Sequence, residues 1–298
     1  MVDPGRPGPL NSTPRDAERL RAGETRPSGA APLIPTGLDA ILVLLRHGQT
    51  QFIVENRFQG AMEAPLTPLG ELQARLAGRR LASPAADPSV PIPDTAPFAI
   101  VHSPLGRARR SAELVVEEMA AAGRATPPLR PDAGFCEIAQ GVWEGLTEEE
   151  INVRFSDSLA GWRRWPMEVS APGGEALPQV AARVEASLSR LLGEMADGTK
   201  PGTIDRHQVL GYSATGPEKR RWSLIVGHGG VFRVVACVLL DLPLEHFWNF
   251  DFGLAAISVV EIRAGRAVMR SLNLESHPDG QAAARVEDSS KRDESGAL

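Results

Sequence analysis

The chain has 298 residues, 42% hydrophobic and 23% charged, a balance suited to a soluble globular protein. Its formal net charge of −5 supplies no basic field for nucleic acid or an anionic membrane. Two cysteines, Cys136 and Cys237, exclude a disulfide-rich scaffold, and without a clustered His/Cys pattern no metal or other cofactor is expected.

Residues 1–37 hold seven prolines among glycines and charges, so they cannot bury enough apolar surface to offset their ordering entropy. They read as a disordered tail, and polar residues 276–298 read as a second one. One domain is expected over 38–275, with a polar insertion at 199–221. No run approaches the roughly 20 apolar residues of a membrane helix, and the N-terminus has no signal-peptide core, so the expectation is a cytoplasmic protein.

Within the domain, the first element is the apolar run AILVLL at 40–45. Thr67 and Pro68 then supply an N-cap and a first-turn proline for a helix running to residue 81. A second apolar run, FAIV at 98–101, precedes a helix that follows Ser103-Pro104 and reaches about residue 122. Thr147 and Glu150 form a capping box for a helix through Phe155, and 175–195 has long amphipathic periodicity. The third apolar run is SLIV at 223–226, followed by an apolar helix over 230–240. Alternating segments at 256–262 and 267–273 read as a hairpin around Gly265. Short apolar runs without polar alternation suit strands buried on both faces of a parallel sheet. Their alternation with helices predicts an α/β fold, three layers with a mostly parallel central sheet.

The chemistry-bearing residues follow those runs. Arg46-His47-Gly48 follows the first, His102-Ser103 the second and Gly227-His228-Gly229 the third. Open α/β sheets bind ligands beyond the carboxyl ends of their strands. Arg107 falls near the start of the helix after the second run, where a positive dipole end adds to its charge. Two guanidiniums can grip phosphate oxygens bidentately, and histidine can act as nucleophile or donor.

The segment LLRHGQTQFIVENRFQG at 44–60 resembles the signature loop of the histidine phosphatase superfamily, the phosphoglycerate mutase-like fold. HSPLGRARRSAE at 102–113, FCEIAQGVWEGLT at 135–147, PGGE at 172–175 and VGHGGVFR at 226–233 follow in that family's order. The resemblance implies that His47 takes the phosphoryl group as phosphohistidine and that Arg46, Arg107 and His228 surround it. It makes Glu137 the acid that protonates the leaving group and the base that later activates water. Thr50, Gln59, Gly60 and Gly229 match positions lining the phosphate pocket. Where the family has tryptophan and asparagine, this chain has Phe52 and Ile53, which removes one hydrogen bond from that pocket. EIAQGVWEG leads directly into a capped helix, as in the small phosphatase branch, so the expected reaction is metal-independent hydrolysis of a small-molecule phosphate ester. The alternatives are mutase-type phosphoryl transfer and a weakened phosphate-binding or regulatory module.

Overall fold

A computed structural model describes residues 32–197 and 220–275. Its strands are β1 (Ala40–Arg46), β2 (Ala99–His102), β3 (Leu129–Pro131), β4 (Arg221–Gly227), β5 (Ile257–Arg263) and β6 (Arg266–Leu274). They form one sheet in the order β3-β2-β4-β1-β5-β6. The four strands from β3 to β1 are parallel, whereas β5 and β6 form the antiparallel hairpin expected around Gly265. The helices are α1 (Gln51–Val54), α2 (Pro68–Ala82), α3 (Gly106–Ala121), α4 (Glu148–Arg164), α5 (Leu177–Ala196) and α6 (Gly229–Leu239).

The sheet separates two apolar clusters, as strand pleating requires. On one face Ile41, Val43 and Leu45 of β1 meet Leu81 of α2 and Val115 and Met119 of α3. On the other, Leu42 and Leu44 join Val184 and Leu188 of α5 and Val231 and Val235 of α6. Residues 40–45 are fully buried, which explains why they show no polar alternation. The expected three-layer α/β architecture is present.

Several boundaries differ from the sequence reading. Leu33 and Ile34, inside the expected 1–37 tail, are buried in the second cluster. That apolar pair is outweighed by its proline-rich surroundings when composition is averaged. Residues 1–31 and 276–298 lie outside the described residues, as does the expected insertion except for Arg220 and Arg221. Those two belong to the folded domain: Arg220 is buried, and Arg221 opens β4. The helix expected to end at Phe155 continues to Arg164 across a kink there, where φ is −142° and ψ is 30°. Its second half is retained by Leu159 and Trp162, both buried in the core. The edge strand β3 has only three residues, is partly exposed and includes a proline, so it carried no strand pattern.

The β1–α1 loop is fixed by a close backbone approach to α2. A Cβ on Gly70 would overlap the Gln49 carbonyl oxygen, and one on Gly48 would overlap the Gly70 carbonyl. The Gln49 N–H also donates to Gln73 Oε1 at 2.8 Å, and the Thr67 N–H donates to Gln49 O at 3.0 Å. Gly70→Ala should therefore destabilise the fold by about 1–3 kcal/mol, because backbone rather than a flexible side chain must move. Urea unfolding tests this; a midpoint equal to wild type would contradict the close approach.

Candidate active site

Register brings the predicted residues together. Arg46 pairs with Gly227, and His102 with Val226, so β2, β4 and β1 end side by side at one sheet edge. The chain then turns into the His47 loop, the Ser103 loop and α6, with His228 as the α6 N-cap. The His47 N–H donates to Gly227 O at 3.0 Å, tying the first loop to the end of β4. His47 and His228 lie with ring centroids 5.1 Å apart and planes inclined at 62°.

The two arginines are buried and held by carbonyl groups. Arg46 Nη1 donates to Phe252 O at 2.6 Å, while Arg107 donates to Met62 O at 2.8 Å and Gly60 O at 2.7 Å. Among the described residues, neither pairs with a carboxylate within salt-bridge distance, and the Nε atoms of both are buried without a partner. Burial pushes the Arg107 guanidinium down to about 10, against the opposing pull of Glu137 and Glu63. Glycine at 229 lets the Arg46 guanidinium lie against the start of α6, since a Cβ there would come within 3.0 Å of Arg46 Cζ.

The histidines are prepared as neutral groups. His47 Nδ1 lies 2.7 Å from Gly48 O, an acceptor only, so Nδ1 carries the proton and Nε2 presents a lone pair. Burial, then the charges of Arg107 and Arg46, holds His47 well below its ordinary 6.5, outweighing the bond to Gly48. His228 is depressed in the same sense by burial, Arg107, His47 and Arg46. Its Nε2 lies 2.7 Å from Ser103 Oγ, and its buried Nδ1 has no partner.

Glu137 is 2% exposed and sits at the N-terminus of α6. Its Oε1 accepts the Ile138 and Val231 N–H groups at 2.9 and 2.8 Å, and Oε2 accepts the Gly230 N–H at 3.1 Å. Glu63 similarly takes the Gly106 N–H that opens α3, at 3.1 and 3.0 Å. Both helix starts beside the site therefore already hold a carboxylate, leaving the arginines and histidines for an added anion.

The weaker candidates are gathered at the same edge. Thr50 caps α1 and donates from Oγ1 to Gln59 Oε1 at 2.8 Å; both residues are buried. Gly60 contributes the carbonyl that orients Arg107. Ile53, in place of the family's asparagine, is a buried apolar residue whose N–H meets Thr50 Oγ1 at 3.3 Å. Arg57 braces the neighbouring loop, donating to Gly145 O at 2.7 Å and pairing with Glu55 and Glu150. Trp143 is packed edge-to-face against Phe58.

Sequence reasoning passed over Ser103 and Ser111. Ser111 Oγ receives the Gly48 N–H at 3.3 Å and donates to Arg107 O at 2.8 Å, linking the His47 loop to α3. The position of Ser103 directly after a strand was visible in the sequence; the long-range partners of both serines were not. Among the described residues, no group of three or more His, Cys, Asp and Glu is placed to hold a metal, and no helix is long and apolar enough to cross a membrane.

The chain resembles proteins already known. The histidine phosphatase superfamily (branch 1) matches residues 42–201 and 207–275. The chain belongs to the histidine phosphatase superfamily. It is 26% identical over 239 residues to phosphoserine phosphatase 1 of Hydrogenobacter thermophilus, covering 79% of this chain and 93% of that protein. It is 34% identical over 232 residues to a 2,3-bisphosphoglycerate-dependent phosphoglycerate mutase of Methylobacterium, covering 78% and 95%. The mycobacterial glucosyl-3-phosphoglycerate phosphatase complexed with VO3 superposes with a TM-score of 0.59 at 26% identity, over 78% of this chain and 98% of its own. The sequence-based assignment to an enzyme of this phosphatase superfamily, and to its fold, therefore stands.

Because His47 is depressed, its imidazole should remain neutral through mildly acidic pH. Both histidines take up a proton more readily when unfolded, so the stability they contribute is full above about 6.5 and declines below it. In an NMR titration assigned with His47→Ala, the His47 ring should keep its neutral Nδ1–H signature from about pH 7.5 to about 5.5. A midpoint near 6.5 would contradict the burial argument.

Proposed function

We propose that the protein hydrolyses small-molecule phosphate monoesters through a phosphohistidine on His47. The observation that carries this reading is the pair of buried guanidiniums, tied to carbonyls and, among the described residues, without a carboxylate in salt-bridge distance, beside a histidine whose Nδ1 is turned to Gly48 O. Two guanidiniums held this way are suited to grip the oxygens of a phosphoryl group.

In this mechanism His47 Nε2 attacks phosphorus, and the bond to the ester oxygen breaks as the N–P bond forms. Arg46, Arg107 and His228 bear on the equatorial oxygens, where electrostatic stabilisation contributes most to phosphoryl transfer. Thr50, Gln59, Gly60 and Gly229 shape the phosphate pocket around them. An incoming phosphate places negative charge beside the Glu137 carboxylate, and a proton shared between them relieves the repulsion. Glu137 passes that proton to the departing alkoxide, then takes one from the water that breaks the N–P bond. The product phosphate takes that proton from Glu137 as it leaves, so His47 is again neutral and Glu137 again a carboxylate. The scheme uses no metal or cofactor, and the proposal places the reaction in the cytoplasm.

Return of the phosphoryl group to a second hydroxyl is the competing reading, favoured by the mutase relative. Hydrolysis is supported by the short step from Glu137 to the capped start of α4 at Glu148, which leaves little chain to cover the site. A non-catalytic phosphate binder would have no use for a buried carboxylate beside a neutral nucleophile.

Glu137→Gln, assayed in EDTA, should slow an alkyl phosphate such as glycerol phosphate about 10²-fold and p-nitrophenyl phosphate far less, because nitrophenolate departs without protonation. Equal losses on both substrates would overturn the acid assignment.

A further inference from the structure

Glu137 lies on a loop between two single 3-10 turns, Ala133–Phe135 and Gly141–Trp143. A buried loop of this kind must find its backbone partners outside itself. Arg183, on α5, supplies three of them. Its Nη1 donates to Gly134 O at 2.9 Å and Cys136 O at 2.8 Å, and its Nη2 donates to Glu137 O at 3.2 Å. Glu175 receives the same guanidinium from Nε and Nη2, both at 2.9 Å. Its Oε2 also accepts the Ala139 N–H at 3.0 Å, and its own N–H donates to Ala139 O at 2.8 Å. The pair thus grips the loop on both sides of Glu137 without using the acid's carboxylate. Burial raises Glu175, but the Arg183 hydrogen bonds, the Ala139 N–H and the Arg183 charge outweigh it, so the carboxylate stays ionised.

We propose that Arg183 and Glu175 act together as a positioning clamp for Glu137, so that proton delivery to the leaving group depends on an ion pair outside the reacting atoms. This rests on the reading of Glu137 as the general acid. The loop backbone is anchored to α5 through the clamp, whereas the carboxylate is anchored to α6 through Gly230 and Val231. Releasing the clamp lets the acid drift from the leaving oxygen. Arg46 and Arg107 are oriented by Phe252, Met62 and Gly60, none of which the clamp touches. Phosphoryl binding should therefore survive while proton delivery fails, a split that general loss of structure would not produce.

Arg183→Lys tests the geometry, because lysine keeps the charge but cannot reproduce a planar fork that meets three carbonyls and a carboxylate. Glu175→Gln, which retains the shape of the partner, is the second variant. In the full chain, Arg183→Lys should lower kcat on glycerol phosphate about tenfold to a hundredfold and on p-nitrophenyl phosphate by about threefold or less. Glu175→Gln should shift the same ratio in the same direction. In a Glu137→Gln background, Arg183→Lys should add no further selectivity. Equal losses on both esters beside a selective Glu137→Gln, or full rescue by lysine, would overturn the clamp alone. A non-selective Glu137→Gln would overturn the acid reading and the clamp with it.

Discussion

The site depends on two buried arginine charges that, among the described residues, have no carboxylate within salt-bridge distance. Arg46 and Arg107 are oriented by backbone carbonyls, which fix the guanidiniums but cannot neutralise them. Burying charge in this way is expensive unless a counter-charge arrives, so the folded site is biased toward an anion. The same fields, added to burial, keep His47 and His228 neutral. A pocket suited to an anion thereby also keeps both imidazoles unprotonated. In the proposed mechanism, the effects that would make an isolated histidine a poor base leave His47 ready to attack a phosphoryl group held between the cations.

The sheet supplies the rigidity that this electrostatic arrangement needs. β2, β4 and β1 are neighbours, and their carboxyl ends coincide, so residues separated by nearly 200 positions meet without a long flexible loop. Helix starts have a different role from the one their dipoles first suggest. Glu137 occupies the start of α6, and Glu63 the start of α3, so these helix ends fix carboxylates while the arginines are held by carbonyls. The acid and the cations thus hang from separate supports, which allows binding and proton delivery to be perturbed separately.

Much of this was legible in the sequence because Arg46, His47 and His228 lie at the ends of buried strands. AILVLL-RHG and SLIV-GHGG state the element and its chemistry in adjacent residues, and Thr67, Pro68, Thr147 and Glu150 mark helix starts through local hydrogen bonds. What remained hidden depends on contacts between distant segments. Ser111 looks like an ordinary helical serine until Gly48 donates to it. Gly70 matters because Gln49 approaches it, and Arg183 because three carbonyls from another loop turn toward it. Leu33 and Ile34 were lost in a proline-rich average, and β3 was too short and exposed to show periodicity.

The covalent intermediate is the central claim, and trapping it is the most direct measurement. The full-length enzyme would be mixed with a 32P-labelled phosphate ester, quenched in alkali within one turnover and digested for peptide mapping. The account predicts alkali-stable, acid-labile label on the peptide containing His47, and none in His47→Ala. Turnover by wild type with no label at His47, or with label on another residue, would contradict it.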